Sequence, residues 1–125
     1  MLEYIHHIAI ICSDYEKSKD FYVNRLGFSV VREVVRPQQQ DILMMLQRDR
    51  MVLELFIKPD APKRVTDPEA MGLRHLAFRV ENMDKAVAWL SSRGIGTEPV
   101  RTDAINGGRF TFFRDPDGLP LELHE

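Results

Sequence analysis

The chain has 125 residues, with 17 Lys and Arg against 19 Asp and Glu, a formal charge of −2 and a hydrophobic content of 44%. That length suits one domain with a sizeable core, and a charge so near zero argues against nucleic acid or an acidic membrane surface as partner. No apolar run reaches the roughly 18 residues of a membrane helix. The start Met1-Leu2-Glu3-Tyr4 lacks the basic and apolar pattern of a secretory leader, and the single Cys12 cannot form an internal disulfide, so the expected compartment is the cytoplasm.

Residues 4–12 are β-branched and short, which predicts a strand; Cys12 there reads as a small core residue. Ser13 and Glu16 have capping-box spacing and predict the start of a helix. Tyr15, Ser18, Phe21, Tyr22 and Leu26 follow at helical spacing, and Gly27 closes the segment. Strands are predicted over residues 28–35, 42–47 and 51–57, with Gln38-Gln39-Gln40 as a polar loop. Pro59, Pro62 and Pro68, set among charges, predict a linker. A strand over residues 73–80 is followed by a helix capped at Asn82, carrying Met83, Ala86, Val87 and Leu90, and ended by Gly94. Residues 97–101, 109–114 and 119–124 read as strands. Asp115-Pro116-Asp117-Gly118 is a turn in which proline presets one dihedral and glycine accepts positive φ.

The order β-α-β-β-β therefore occurs twice, in an α+β chain: a first module over residues 1–60, a linker over 61–70 and a second module over 71–125. Placing His7 on His75 gives an offset of 68 residues (75 − 7). At that offset His7-Ile8-Ala9-Ile10 faces His75-Leu76-Ala77-Phe78, Lys17 faces Lys85, Phe21 faces Trp89, and Glu54 faces Glu122. Both glutamates sit between leucines, in Leu53-Glu54-Leu55 and Leu121-Glu122-Leu123.

Side chains alternate along a strand, so Glu54 shares a face with Val52 and Phe56. Both faces are largely apolar, which places the carboxylate in a setting where it needs a partner or a metal; the same holds for Glu122. Taken singly, each residue has a plain structural reading: a strand histidine satisfied in the core, or a glutamate paired with Arg74 or Arg109. Four of them at repeat-equivalent positions favour a shared site. Two imidazoles and two carboxylates suit a divalent cation such as zinc, nickel, cobalt or manganese. His124 falls on the face of Glu122, as an acid or base that supports the ligand or as an exposed residue near the chain end. His6 falls on the face opposite His7 and reads as structural or surface. Phe56, Phe110, Phe112 and Trp89 wall a cavity or pack the core.

These residues make the chain resemble the glyoxalase I / vicinal-oxygen-chelate superfamily over essentially its whole length. His7 followed by Asp14, Lys17-Ser18 and Phe21-Tyr22 looks like that family's first strand and helix. Residues 73–78 look like the opening of its second module, and Phe110 to Gly118 followed by Leu121-Glu122-Leu123 look like its closing strands. The whole chain is similar to a bacterial group of glyoxalase I-like metalloproteins. The resemblance implies two paired βαβββ modules, each curling a sheet around a shared metal cavity, with the modules meeting within one chain or across a homodimer.

It also implies a divalent metal on His7, Glu54, His75 and Glu122, with Glu122 as the proton shuttle and Glu54 as the more constant ligand. The reaction implied is a lyase or isomerase reaction on a small substrate, such as the hemithioacetal of an α-oxo-aldehyde, through an enediolate. Glutamate at both module ends is most like glyoxalase I. Where glutathione-dependent members usually carry arginine and asparagine, this chain has Ile11 and Lys58, a departure that touches the thiol and not the metal. Arg74, Arg109, Phe56 and His124 are the expected substrate contacts, with Lys58 as a further anion contact. The alternatives within the superfamily are an extradiol-type dioxygenase and a non-catalytic drug-binding protein.

Overall fold

The β-branched run after His7 forms strand β1 (Ile8–Cys12) in the computed structural model, which describes residues 1–125. By contact density the chain forms two units, Met1–Pro62 and Lys63–Glu125. In the first, β1 is followed by helix α1 (Tyr15–Lys19), a π-helical stretch (Asp20–Arg25), and strands β2 (Ser29–Arg36), β3 (Asp41–Arg48) and β4 (Met51–Ile57). The sheet order is β1-β4-β3-β2, with β1 parallel to β4 and the other pairs antiparallel.

The helix begins one residue later than the capping box predicts. Asp14, with extended backbone, is the N-cap, and its carboxylate accepts from the Lys17 amide at 2.8 Å. A short acidic side chain at that place satisfies the free N–H as well as serine would. The widened π spacing puts residues five apart above one another. Asp20 accordingly accepts from Arg25 at 2.9 Å and from Asn24 at 3.1 Å. Gly27, at φ +82°, ends the segment, a conformation glycine adopts without steric cost.

Along β4, Leu53, Leu55 and Ile57 enter the core with Phe21, Tyr22, Met44 and Leu46, while Val52, Glu54 and Phe56 on the other face are half-buried. Tyr4 and Ile5, expected in the strand, precede it and are 77% and 78% exposed.

The second unit contains strand β5 (Leu76–Arg79), helix α2 (Met83–Ser92), and strands β6 (Arg101–Thr102), β7 (Arg109–Arg114) and β8 (Pro120–His124). Their order is β5-β8-β7-β6, with β5 parallel to β8. Asn82 caps α2 by accepting from the Lys85 amide at 2.9 Å, as the sequence predicts. The strand predicted over 97–101 is reduced to the two residues of β6. Ahead of it, single bonds from the Glu98 amide to Phe112 O and from Thr111 Oγ1 to Glu98 O hold the chain without a ladder. Asp115 Oδ1 accepts from the Asp117 and Leu119 amides and builds the turn before β8. No helix is long and apolar enough to cross a membrane.

Register repeats with sequence. Ala9 pairs with Glu54 in the first sheet and Ala77 with Glu122 in the second, each pair related to the other by the same 68-residue offset (77 − 9, 122 − 54).

Candidate metal centre

Each sheet brings one histidine to one glutamate. His7 and His75 stand just before β1 and β5, two residues ahead of the alanine that lies opposite the glutamate. Both histidines precede the ladder, and the small methyl of the alanine paired with each glutamate leaves room for the ring to lean onto the carboxylate. His7 Nε2 lies 3.5 Å from Glu54 Oε2, and His75 Nε2 lies 2.9 Å from Glu122 Oε2. The carboxylates are the more enclosed partners: the side chains of Glu54 and Glu122 are 16% and 11% exposed.

No arginine or lysine meets either carboxylate. Arg74 pairs with Glu69 at 2.6 Å, and Arg109 with Glu125 at 2.8 Å and Asp84 at 3.2 Å. The structural reading of an arginine-neutralised glutamate is therefore not what this fold adopts.

The donor set fits a borderline divalent cation. The two N···O separations, 2.9 and 3.5 Å, are those of direct imidazole–carboxylate contacts, and they hold one nitrogen and one oxygen donor side by side in each sheet. Each unit supplies one such pair of donors, and no group of three or more His, Cys, Asp or Glu side chains able to hold a metal is gathered in the chain.

The far ring nitrogens differ. His7 Nδ1 is 2.9 Å from His6 Nδ1, and the two rings meet edge-on. His6, expected on the opposite face, thus orients the ring of His7. Leaving the strand before Ile8 frees the backbone from alternation, so the expectation from strand geometry does not apply there. His75 Nδ1 is buried with no hydrogen-bond partner. That ring is fixed by packing, edge-on to Phe112 at 5.1 Å, and Phe112 lies opposite Glu122 in the β7–β8 pair.

The expected substrate contacts are dispersed. Phe56 carries the Arg36 guanidinium over its ring at 5.0 Å. Lys58 and Arg36 both bind Asp41, at 2.7 and 2.6 Å, so Lys58 is committed inside its own unit. The Arg36 guanidinium first, and Lys58 second, hold the buried Asp41 carboxyl well below the usual carboxylate range. His124 stacks on Phe110 at 6.4 Å, with Nε2 3.6 Å from Asp103 and Nδ1 3.0 Å from Glu125 O. It is half-buried rather than free at the chain end. Arg109 is taken up by its two carboxylates.

Arg74, in contrast, lines a concavity of the second unit together with His75 and Phe112. Arg101 and Arg114 line it too and were not singled out from sequence. The signal for Arg114 was present: it alternates with Phe110 and Phe112 along β7 and so shares their face.

Residues 4–123 match the Glyoxalase/Bleomycin resistance protein/Dioxygenase superfamily. The uncharacterized protein YwkD of Bacillus subtilis is 59% identical over 126 residues, covering 100% of this chain and 98% of its own. The uncharacterized protein YaeR of Escherichia coli is 50% identical, covering 99% and 97%. A crystal structure of a glyoxalase family protein from Enterococcus faecalis superimposes with a TM-score of 0.96 at 52% identity, covering 98% of each chain.

Proposed function

The chain belongs to the Glyoxalase/Bleomycin resistance protein/Dioxygenase superfamily, and from that premise we propose that it is a metal-dependent lyase or isomerase of the glyoxalase I kind. In this reading a homodimeric, cytoplasmic protein holds a divalent cation (zinc, nickel, cobalt or manganese) on His7, Glu54, His75 and Glu122. It acts on the hemithioacetal of an α-oxo-aldehyde and a small thiol. The observation that carries this reading is the matched pairing of each histidine Nε2 with a glutamate Oε2, at 3.5 and 2.9 Å, with no cationic side chain on either carboxylate.

His7, Glu54, His75 and Glu122 would hold the divalent cation, which when bound would supply positive charge to offset negative charge developing on the substrate oxygens. Glu122 takes the proton from the substrate carbon and returns it to the neighbouring carbon. Its burial and its contact with His75 hold the carboxylate in one orientation. Glu54 would serve as the more constant ligand, the role its position implies by resemblance. His6 fixes the ring of His7 through the Nδ1 contact, and Phe112 fixes that of His75. Ile11 is 58% exposed and Lys58 is bound to Asp41. Neither supplies the glutathione contact that its position serves in glutathione-dependent relatives, which supports a different thiol.

The test is elemental analysis of the purified protein beside Glu122→Ala, followed by hemithioacetal isomerisation assays with a panel of low-molecular-weight thiols. About one equivalent of a divalent transition metal per chain is expected in the wild type, with a large loss in the variant and metal-dependent turnover with at least one thiol. Failure to take up metal after reconstitution, or a loaded protein inert towards every thiol, refutes the proposal.

A further inference from the structure

The second unit carries an anion-binding concavity beside His75. Its volume is about 730 Å³, and its lining includes five cationic side chains, Lys63, Arg64, Arg74, Arg101 and Arg114, against three carboxylates, Glu69, Glu98 and Asp117. Two positive charges therefore remain without a carboxylate. Arg74 is matched one to one by Glu69. Arg64 donates only to the backbone carbonyls of Leu73 and Arg74, at 3.0 and 2.7 Å, which leaves its charge uncompensated.

Arg101 and Arg114 share a single carboxylate. Arg101 Nη2 lies 3.2 Å from Glu98 Oε1 and Arg114 Nη2 lies 3.0 Å from Glu98 Oε2. Arg109 shows the opposite arrangement, one guanidinium facing two carboxylates. A guanidinium has five N–H donors in a planar fork; besides the shared carboxylate the pair makes one long bond, Arg114 Nη1 to Phe113 O at 3.3 Å, which leaves most of its donors unused. Both forks are held against aromatic rings, Arg101 at 5.0 Å from Phe110 and Arg114 at 5.9 Å from Phe112. Contact with the ring restrains each guanidinium while its half-exposed position leaves N–H donors accessible. The Phe112 ring beneath Arg114 is the one that packs edge-on against His75. The Arg114 fork is thus one ring away from a candidate metal ligand, and the Arg101 fork two, through Phe110 and Phe112.

We propose that this concavity receives an anionic group of the substrate, a carboxylate or phosphate oxyanion, gripped by the guanidinium groups of Arg101 and Arg114 with Lys63 and Arg64 adding attraction at longer range. The substrate is then a small molecule with a negatively charged arm, its reacting oxygens lying toward His75 and Glu122. This deepens the proposed function and rests on it for the link between the anion and the reaction. Binding of the anion itself is read without turnover.

The experiment is calorimetric titration of the protein as purified with malonate and, separately, inorganic phosphate, repeated at rising ionic strength. Wild type is compared with Arg101→Gln, Arg114→Gln, Arg114→Lys and Arg93→Gln. Arg93 stacks on Trp89 at the end of α2 and lies outside the concavity. Wild type is expected to bind at least one probe, and each glutamine variant to weaken Kd by about tenfold, as loss of a charge-assisted fork implies. The lysine variant should fall between, and Arg93→Gln should match wild type. Preference for malonate marks a carboxylate arm, and preference for phosphate a phosphoryl arm. A Kd unchanged in both glutamine variants, or no binding of either probe by the wild type, overturns the proposal. Should the variants fail to fold, salt dependence in the wild type still decides, since affinity indifferent to ionic strength excludes charged forks as the donors. Glu122→Ala should keep the anion affinity while losing the metal, which separates failure of the metal reading from failure of this one.

Discussion

Replacing Glu122 by glutamine keeps the shape of a side chain that is 11% exposed and removes only its charge. Without metal, the amide oxygen still accepts from His75 Nε2. The loss is then that of a charge-assisted against a neutral hydrogen bond, about 1 kcal/mol. With metal, an anionic donor disappears from a set of four. A cation present at about 100 times its Kd stabilises the folded chain by about 2.7 kcal/mol, and a hundredfold loss of affinity cuts that to about 0.4 kcal/mol. In a domain of this size about 1 kcal/mol corresponds to roughly 4 °C in Tm. Metal is therefore expected to raise the wild-type Tm by about 10 °C and that of Glu122→Gln by about 2 °C. Differential scanning calorimetry with and without a chelator measures both increments. A variant that keeps the full metal-dependent increment refutes Glu122 as a ligand. A variant whose chelated form loses more than its metal-dependent part shows the residue to be a structural partner of His75 instead.

Two further substitutions probe the interactions within each unit. Asp41 is buried and held ionised by Arg36 and Lys58. Because its folded-state value lies below the unfolded one, its contribution is full above the ordinary carboxylate range and is lost as pH falls towards the folded value. Asp41→Asn should lower the urea midpoint at about pH 6, with the deficit shrinking steadily below about pH 4; an equal deficit at all pH values contradicts the ion-pair account. Gly108 packs so closely that a Cβ there would lie 2.7 Å from His124 Cε1 and 2.9 Å from Glu125 O. Gly108→Ala should cost about 1–3 kcal/mol by overpacking, read by thermal denaturation, and should disturb the His124 ring resonances; unchanged stability and spectra would show that the loop gives way freely.

Several features were legible before any coordinates. The duplicated β-α-β-β-β order, the Asn82 cap, the Gly27 and Gly118 turns and the alignment of His7 with His75 and of Glu54 with Glu122 follow from period, punctuation and offset. The contact of each histidine with the glutamate of its own sheet came from the structure, where a parallel strand pair in matching register repeats the 68-residue offset in space. The capping residue was misplaced by one position because Ser13 and Asp14 are both competent caps and local spacing does not choose between them. The short β6 escaped because the strand propensity of residues 97–101 does not reveal that few partners are available for a ladder.

Composition and pattern alone determined the kind of fold and the alignment of His7 with His75 and of Glu54 with Glu122. The tertiary structure decided which charges are spent and which are free. Arg109 and Lys58 looked from the sequence as available to a substrate as any other cation, yet each is bound within its unit, to Glu125 and Asp84 and to Asp41 respectively. Arg101 and Arg114 drew no notice and share one carboxylate beside His75. The physical reason is that strand period places a side chain on a face within one element. An ion pair depends instead on which side chains from different elements come within about 4 Å of each other, a distance that no periodicity in the chain encodes.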